Sequence, residues 1–260
     1  MTDLDQAHAR MTAAPEDDAA RLGYFASLAD TSLYLLLEAE PQGEEIAPRV
    51  FALEDGPVVL AFDSAERLAE ASGVAVPYAL LPGRVVARAL AGQGAALGIN
   101  LGTEAPAFLV PPDALAWLAD TLDHAPGQAE ARPIAFAPPS GLPSDLTEAL
   151  AAKLARLTGL AEAALLAGVT YEGGRRGHML AFLGADPADE AALAHAAAEA
   201  LTFSGVEAGE MDVAFLAPEH AAARALARVA LRLDLASPAP RPIAAPIAPG
   251  SDPEKPPRLR

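Results

Sequence analysis

Two residues in predicted loops have side chains that could do chemistry. Ser64 follows an apolar run, and Asn100 lies in the glycine-containing stretch LGINLGTEAPAFLVPPDALAWL. A serine hydroxyl can act as a nucleophile, and an amide can hold a small ligand through hydrogen bonds. Catalysis by Ser64 would need a histidine and a sharp G-x-S-x-G turn, and neither surrounds it in the sequence. We therefore predict that Ser64 caps a helix and Asn100 stabilises its own turn, and keep both as candidate ligand-binding residues.

The histidines do not stand at the spacings of a metal or catalytic motif. They are scattered along the chain: His8, His124, His178, His195 and His220. His195 and Glu199 lie four residues apart on a predicted helix and could share a metal ion, but a zinc site needs further ligands that the sequence does not offer. We therefore assign no catalytic residue, no metal site and no cofactor, and we rank a binding protein ahead of an enzyme.

The composition predicts two domains and argues against nucleic acid as a partner. The chain has 260 residues, of which 52% are hydrophobic and 20% charged, and it has no cysteine. The net charge is -14 over residues 1–130 (6 bases, 20 acids), -5 over residues 131–235 (8 bases, 13 acids) and +2 over residues 236–260 (4 bases, 2 acids). Phosphate binding needs a basic surface, so we expect no nucleic-acid partner. An acidic surface usually provides solubility, and less often it binds a basic protein partner.

Neither an export signal nor a membrane-spanning segment is recognisable. The first 20 residues are polar and acidic, whereas a signal peptide has a basic segment followed by an apolar run. The longest uncharged apolar runs, such as SLYLLL and AALLAGV, are far shorter than the roughly 20 residues that cross a bilayer. We therefore expect a cytoplasmic protein that does not act at a membrane.

A predicted hairpin and helix position Ser64. The run RVFALEDGPVVLAFDS ends at Ser64 and contains two strands joined at Asp55 and Gly56, a pair of residues typical of tight hairpins. Ser64 then stands at the start of the helical pattern AERLAEAS, and Gly73 ends that helix. The sequence thus places Ser64 between a strand and a helix.

Asn100 lies in a second predicted hairpin. The runs AALGIN and PAFLV are typical of short strands, and Gly102 can adopt the positive backbone angle that a turn between them needs. Pro111 and Pro112 end the second strand and begin a helix, and we expect Trp117 to pack beneath that helix. This stretch is therefore predicted to be mainly architectural.

Segments rich in proline and small residues divide the chain. We expect a flexible acidic tail at residues 1–20, a first domain at 21–125, a linker at 126–143, a second domain at 144–235 and a proline-rich disordered tail at 236–260. The run IAF in the linker could still add a short strand. Each domain is predicted to be α+β, with a small mixed, mainly antiparallel sheet flanked by helices.

Three stretches of the first domain resemble the N-terminal domain of the SseB family, the bacterial "enhanced serine sensitivity" proteins. They are FALEDGPVVLAFDSAERLAEASG, YALLPGRVVARAL and GINLGTEAPAFLVPPDALAWL, in this order. The family pattern has a strand ending in Phe and a hydroxyl residue before an acidic helix, which correspond to Phe62 and Ser64. It continues with a tyrosine before a second helix and an asparagine in a hairpin that leads to a proline-started helix, which correspond to Tyr78, Asn100 and Pro112.

Later segments are similar to the C-terminal domain of the same family. They are LPSDLTEALAAKLARLTGLAEAALLAGVTYEGG, MDVAFL and LRLDL, so the resemblance covers about residues 21–235. The family pattern leads us to expect Thr and Pro where this chain has Asp63 and Leu101. The resemblance implies a cytoplasmic protein whose biochemical role is poorly defined, and it supplies no catalytic residue.

The leading hypothesis is a noncatalytic interaction or regulatory protein that binds a protein partner through its acidic first domain. The expected contact residues are acids on predicted helices: Glu66, Glu70, Asp120 and Asp123. The alternatives are an amino-acid-binding sensor for serine or a related compound, and a hydrolase whose residues only the fold brings together. A deep polar pocket between the domains would favour the sensor, whereas an exposed apolar patch would favour the interaction protein.

Overall fold

The computed structural model describes residues 1–41, 46–54, 56–124, 132–205 and 211–235. We call residues 1–124 the first half and residues 132–235 the second half. The first half contains, in chain order, α1 (Asp3–Ala13), α2 (Asp18–Asp30), β1 (Ser32–Leu36), β2 (Val50–Leu53), β3 (Gly56–Phe62), α3 (Ala65–Ser72), β4 (Tyr78–Pro82), α4 (Gly83–Leu90), β5 (Ala96–Ile99), β6 (Phe108–Val110) and α5 (Pro112–Asp123). The second half contains β7 (Pro133–Ala137), α6 (Ser144–Leu154), β8 (Ala163–Tyr171), β9 (Arg176–Leu183), α7 (Glu190–Phe203), β10 (Met211–Leu216), α8 (Ala221–Leu226) and β11 (Leu231–Asp234).

The strands of the first half form one mixed sheet in the order β4-β1-β3-β5-β6, and β2 pairs with β3 beside β1. Only the pairing of β3 with β5 is parallel among these strands. The two hairpins predicted from the sequence are confirmed, because β2 pairs antiparallel with β3 and β5 pairs antiparallel with β6. The predicted α+β class is also confirmed.

The two faces of the first sheet are covered very differently. Leu33, Leu35 and Leu37 pack into the main core with α2, α4 and α5. Because side chains alternate along a strand, Tyr34 and Leu36 point to the opposite face, and there α3 packs through Leu68 in a much smaller apolar cluster. The first sheet therefore has one face under three helices and one face under a single short helix.

The second sheet has the order β10-β9-β8-β11, with β7 also paired to β8. Both of its faces carry helices. On one face Leu150 of α6 and Leu193 of α7 pack against Leu166 and Phe182. On the other face Leu226 of α8 belongs to a second apolar cluster with neighbouring strand residues. Among the described helices, each sheet therefore has two or more on one face and a single short helix, α3 or α8, on the other.

The N-terminus differs from the flexible tail predicted for residues 1–20. Asp3–Ala13 is a helix whose N-cap, Thr2, forms a capping box with Asp5. Leu4 and Ala7 are buried in the main core, so the helix packs against the first half. The tail prediction is wrong for this segment because a few apolar residues at helical spacing, together with a cap, are enough to dock a short helix.

The predicted linker at residues 126–143 also differs from the structure. Its first part, residues 126–131, lies outside the described residues, as does the predicted tail at 236–260. Pro133–Ala137 forms β7 and pairs antiparallel with β8, so this stretch belongs to the second sheet. The run IAF is therefore a strand of the second half.

Four charged side chains join the two halves, and we call them the junction cluster: Asp30, Arg84, Lys153 and Glu199. Lys153 Nζ lies 2.9 Å from both carboxylate oxygens of Asp30, and Arg84 Nη1 lies 2.9 Å from Glu199 Oε1. Arg84 also pairs with Asp30, and Lys153 with Glu199. These side chains are between 3% and 26% exposed, so each carboxylate is shared by two cations at a largely buried site.

A glycine allows this cluster to form. A Cβ atom at Gly83 would lie 1.9 Å from the carbonyl oxygen of Leu28, so α4 can approach α2 this closely only without a side chain. The next residue is Arg84, and the close approach brings its guanidinium to Asp30 at the end of α2. The backbone packing within the first half thus places Arg84 and Asp30, two members of the junction cluster, next to each other.

An aromatic contact extends the junction. Trp117 is 39% exposed and contacts the rings of Phe25 and Phe203 edge-on, with centroid distances of 5.3 and 6.2 Å. Phe203 belongs to α7 but is buried in the main core of the first half. Trp117 therefore lies at the junction of the halves. The prediction that it packs beneath its own helix is wrong.

The two acids of the junction cluster stay ionised because of their partners. Burial raises the pKa of Glu199, but hydrogen bonds and charges from Arg84 and Lys153 outweigh it and lower the pKa below its usual range. Burial also raises the pKa of Asp30, and Lys153 and Arg84 again lower it overall. Both acids therefore favour the folded state at neutral pH.

We expect Glu199→Gln to lower the free energy of unfolding by about 3 kcal/mol at pH 7, because two largely buried cations then share one carboxylate. The contribution of Glu199 is complete above its unfolded pKa of about 4.3 and is lost as the pH falls through its lower folded pKa. The difference in free energy of unfolding between wild type and Glu199→Gln should therefore become smaller as the pH is lowered. Urea unfolding across pH measures it, with the exposed Glu219→Gln as control; a difference that does not depend on pH would contradict the assignment.

Candidate functional site

The candidate site is the part of the second face of the first sheet that α3 leaves exposed. We call it the open face: Tyr34, Leu53, Leu60, Tyr78, Leu80 and Leu109. The register aligns most of these side chains across the sheet, because Tyr34 is opposite Leu80 in β4 and Leu60 is level with Gly98, which is opposite Leu109. Leu53 lies at the far end of β3, opposite Gly56. Leu80 is 52% exposed and Tyr78 47% exposed. These apolar side chains lie on the side of the sheet opposite to the helices that contact the second half.

An aromatic pair lies at one end of the open face. The rings of Tyr34 and Tyr78 are 5.3 Å apart between centroids and tilted by 51°. Phe51 lies on the same face, and the Arg49 guanidinium carbon is 5.1 Å from its ring centroid. Rings and aliphatic side chains in one exposed group form a surface that favours an apolar partner over water.

The acidic helix α3 borders the open face. It packs Leu68 against Leu36 and Phe62 and exposes Glu66 and Glu70. Glu70 Oε1 accepts a hydrogen bond of 2.7 Å from the backbone N–H of Glu104, which ties α3 to the loop between β5 and β6. Two of the four acids predicted to contact a partner are therefore next to the open face.

Ser64 and Asn100 are brought into the same neighbourhood, but both hold the backbone. Ser64 is the N-cap of α3, and its Oγ accepts a hydrogen bond of 3.3 Å from the N–H of Arg67. This confirms the predicted helix cap. The exposed carboxylate of Glu66 accepts hydrogen bonds from the backbone N–H of Glu66 and from the Ser64 hydroxyl, and both lower its pKa. The first turn of α3 therefore remains negatively charged at neutral pH.

Asn100 is 1% exposed and has a positive φ of 54°, a conformation that asparagine tolerates better than most residues. Its Oδ1 accepts a hydrogen bond of 3.2 Å from the N–H of Asp63, and its own N–H donates to the carbonyl of Ala61. Thr103 Oγ1 in turn donates to the carbonyl of Asn100 at 2.8 Å. Asn100 therefore connects the end of β3 with the turn after β5, as a structural residue.

A second polar network beside Ser64 was not foreseen from the sequence. Asp63, which stands where the family resemblance led us to expect Thr, accepts hydrogen bonds of 2.6 Å from Thr2 Oγ1 and from Arg67 Nη1. Arg67 Nη2 also donates to Asp5 at 2.6 Å. Burial raises the pKa of Asp5, but Arg67 and Thr2 lower it overall. The network fixes α1 to α3, and it links residues 62 positions apart.

The other two predicted contact acids, Asp120 and Asp123, lie on α5 and therefore on the opposite side of the first sheet. Asp123 is engaged by Arg88, whose guanidinium Nε lies 2.8 Å from its Oδ1. The structure thus separates the four acids into two pairs. A partner that rests on the open face reaches Glu66 and Glu70, whereas Asp120 and Asp123 face away.

A cavity of about 620 Å³ lies between the two halves. Alanines and charged residues line most of it, including Asp30, Lys153, Arg156 and Glu199. Arg156 Nη1 donates to the carbonyl of Asp30 at 3.1 Å. The cavity therefore offers charges of both signs, although the junction cluster already pairs most of them.

His195 belongs to this junction and not to a metal site. Its Nε2 lies 3.1 Å from Glu199 Oε1, but Glu199 is already shared by Arg84 and Lys153. Across the described ranges no group of three or more His, Asp or Glu side chains is arranged to hold a metal ion. The pair that the sequence singled out is thus part of the contact between the halves.

We expect Asn100→Ala to destabilise the protein by about 3 kcal/mol, since it leaves the N–H of Asp63 unpaired and places alanine at a positive φ. Asn100→Gly removes the same hydrogen bond, but glycine adopts a positive φ without strain. Its loss in free energy of unfolding should therefore be roughly 1 kcal/mol smaller than that of Asn100→Ala. Thermal or urea unfolding of both variants measures the difference. If Asn100→Ala were as stable as wild type, the structural role would be wrong and a ligand role would regain support.

Comparison with known proteins agrees with the first half of this fold. Residues 4–117 match the family model described as "SseB protein N-terminal domain". No curated protein and no solved structure matches the chain. Among the helices of the described segments, none is both long and apolar enough to span a bilayer. The likeness of residues 144–235 to the C-terminal domain of the family stays a prediction. By this match, the first half of the chain contains an SseB N-terminal domain.

Proposed function

We propose that this protein is a noncatalytic interaction or regulatory protein that binds a basic protein partner through the open face. The observation that carries the proposal is the group of exposed apolar side chains on the first sheet, next to an acidic helix. Leu80 and Tyr78 are each about half exposed there, with Tyr34 and Leu60 partly exposed beside them. Exposed apolar side chains of this kind are costly in water unless a partner covers them.

The charges around the open face define the chemistry of the partner. Glu66 and Glu70 are exposed on α3, and Glu38 and Glu40 are exposed where the chain leaves β1. A partner with apolar side chains at its centre and Lys or Arg at its rim would complement this surface. The charges would accelerate association, whereas burial of the apolar side chains would supply most of the affinity.

The hydrolase alternative has little support from the described side chains. Ser64 serves as a helix cap, and His220 caps α8 by accepting from the N–H of Ala222. His195 takes part in the junction cluster contacts, and His178 bonds the carbonyl of Ser140. These groups are bonded to separate parts of the structure, whereas a catalytic nucleophile and its base lie within hydrogen-bond distance of each other.

The test uses matched leucines on the two sheets. The full chain is used to capture proteins from the native host, and the captured partner is purified so that its Kd can be measured. Leu80 is already about half buried, so covering the rest of its side chain is worth about 0.8 to 1.5 kcal/mol. We therefore expect Leu80→Ala to weaken binding roughly three- to tenfold. Leu231→Ala, which alters a similarly exposed leucine on the second sheet, should leave Kd unchanged.

Charge reversal provides the second part of this test. Glu66→Lys and Glu70→Lys should slow association at low salt, whereas Asp120→Lys, on the opposite side of the sheet, should have little effect. Equal effects of all three reversals would indicate attraction by net charge alone. A purified partner that binds the Leu80→Ala variant as tightly as wild type would refute the open face as the binding surface.

The amino-acid-binding sensor is a second candidate, favoured by the cavity between the halves. An amino acid carries one positive and one negative group, and the cavity lining carries both signs at Asp30, Lys153 and Glu199. Binding there would raise the melting temperature in a saturable way. Thermal shift with serine separates the two functions, since stabilisation that Lys153→Met abolishes and Leu80→Ala preserves would support the sensor.

A further inference from the structure

The last 25 residues of the chain, 236–260, have a composition unlike the rest. We call them the C-terminal segment, ASPAPRPIAAPIAPGSDPEKPPRLR, and they include eight prolines. They carry four bases and two acids, a net charge of +2, in a chain whose total is -17. Proline-rich sequences of this kind favour the extended polyproline II conformation, which has no internal hydrogen bonds.

Polyproline II segments are recognised in proteins by grooves lined with aromatic side chains, because the stiff segment loses little entropy on binding. In the described part of the chain, the open face offers such a surface, with Tyr34 and Tyr78 in contact at a tilt of 51° and Leu80 beside them. The cavity between the halves is lined mainly by alanines and charged residues instead. Among the described strands of the second sheet, the exposed large apolar side chains are Ile134 and Leu231, and neither carries an aromatic ring.

The charges of the two surfaces also match. Acids border the open face on both sides: Glu38, Glu40, Glu66 and Glu70. The bases of the C-terminal segment are spread along its length: Arg241, Lys255, Arg258 and Arg260. A segment that places its prolines on the rings would therefore bring its bases to the acidic borders. Such exposed pairs contribute orientation more than affinity.

The length of the segment is sufficient for this contact. The described chain ends at Leu235, which directly follows β11 in the second sheet and is buried. At about 3.1 Å per residue, 25 residues in polyproline II reach up to roughly 75 Å. A globular body of 235 residues has a diameter of only about 45 Å, so the segment can reach the open face from the second half.

We infer that the C-terminal segment docks on the open face of its own chain. This inference rests on the proposed function, since it concerns the regulation of the same surface. A docked segment covers the apolar side chains when the partner is absent, and the partner must displace it to bind. The protein would then carry its own competitor, whose effective concentration does not change with dilution.

The test exploits the scarcity of lysine. The chain has two lysines, Lys153 and Lys255, and Lys153 is only 13% exposed in the junction cluster. A zero-length carbodiimide reagent applied to the full chain joins amines to carboxylates that they touch. We expect mass spectrometry to identify bonds from Lys255 to Glu66, Glu70, Glu38 or Glu40. The yield should fall as salt is raised, because screening weakens exposed pairs.

Matched variants and isotope mixing complete the design. Lys255→Arg should eliminate these cross-links. Leu80→Ala should lower the docking equilibrium roughly three- to tenfold, and Leu231→Ala should leave it unchanged. Mixing unlabelled chain with chain labelled with ¹⁵N distinguishes a bond within one chain from a bond between two copies. Bonds only between copies, bonds mainly to acids of the second half, or no bonds from Lys255 would each overturn the inference.

The outcomes also separate this inference from the proposed function. If Leu80→Ala weakens partner binding but Lys255 forms no cross-link to the open face, the binding surface stands and the docking of the C-terminal segment is wrong. If the cross-links form within one chain but the partner binds Leu80→Ala normally, the docking stands and the proposed function is wrong.

Discussion

The arrangement of the molecule depends on four charged side chains at the junction of its two halves: Asp30, Arg84, Lys153 and Glu199. Each carboxylate accepts from two cations, and each cation comes from a different helix. Because the cluster lies on the helical side of the first sheet, the second half packs there and not on the strands. Of the described helices, the opposite face of the sheet carries only the short α3, and the exposed part of that face is the candidate binding surface.

Buried charges are expensive to desolvate, so this junction contributes specificity of placement more than net stability. An apolar contact alone would allow the halves to slide, whereas an alternating set of two acids and two cations has one arrangement in which all are paired. Trp117, Phe25 and Phe203 then close the apolar part of the contact around it. A rigid junction leaves the open face free, so a partner or the C-terminal segment can bind without separating the halves.

Local parts of this structure could be predicted from the sequence, and long-range parts could not. The hairpin before Ser64 and the helix cap at Ser64 depend on residues within a few positions, so their patterns are readable. Docking of α1 depends on Arg67 reaching Asp5, and the junction depends on Lys153 reaching Asp30, 123 positions away. Acids on predicted helices likewise gave no indication of which side of the sheet they occupy, and only the fold separates Glu66 from Asp120.

The central claim is that ionic contacts between the halves fix their placement, and a double-mutant cycle between Asp30 and Lys153 tests it most directly. The free energy of unfolding is measured for wild type, Asp30→Asn, Lys153→Met and the double variant. If the two side chains are paired at 2.9 Å across the junction, the stability losses of the two single variants should add up to more than the loss of the double variant. We expect a difference of about 1 to 3 kcal/mol. Effects that add within about 0.3 kcal/mol would contradict the junction, and with it the reason for the open face.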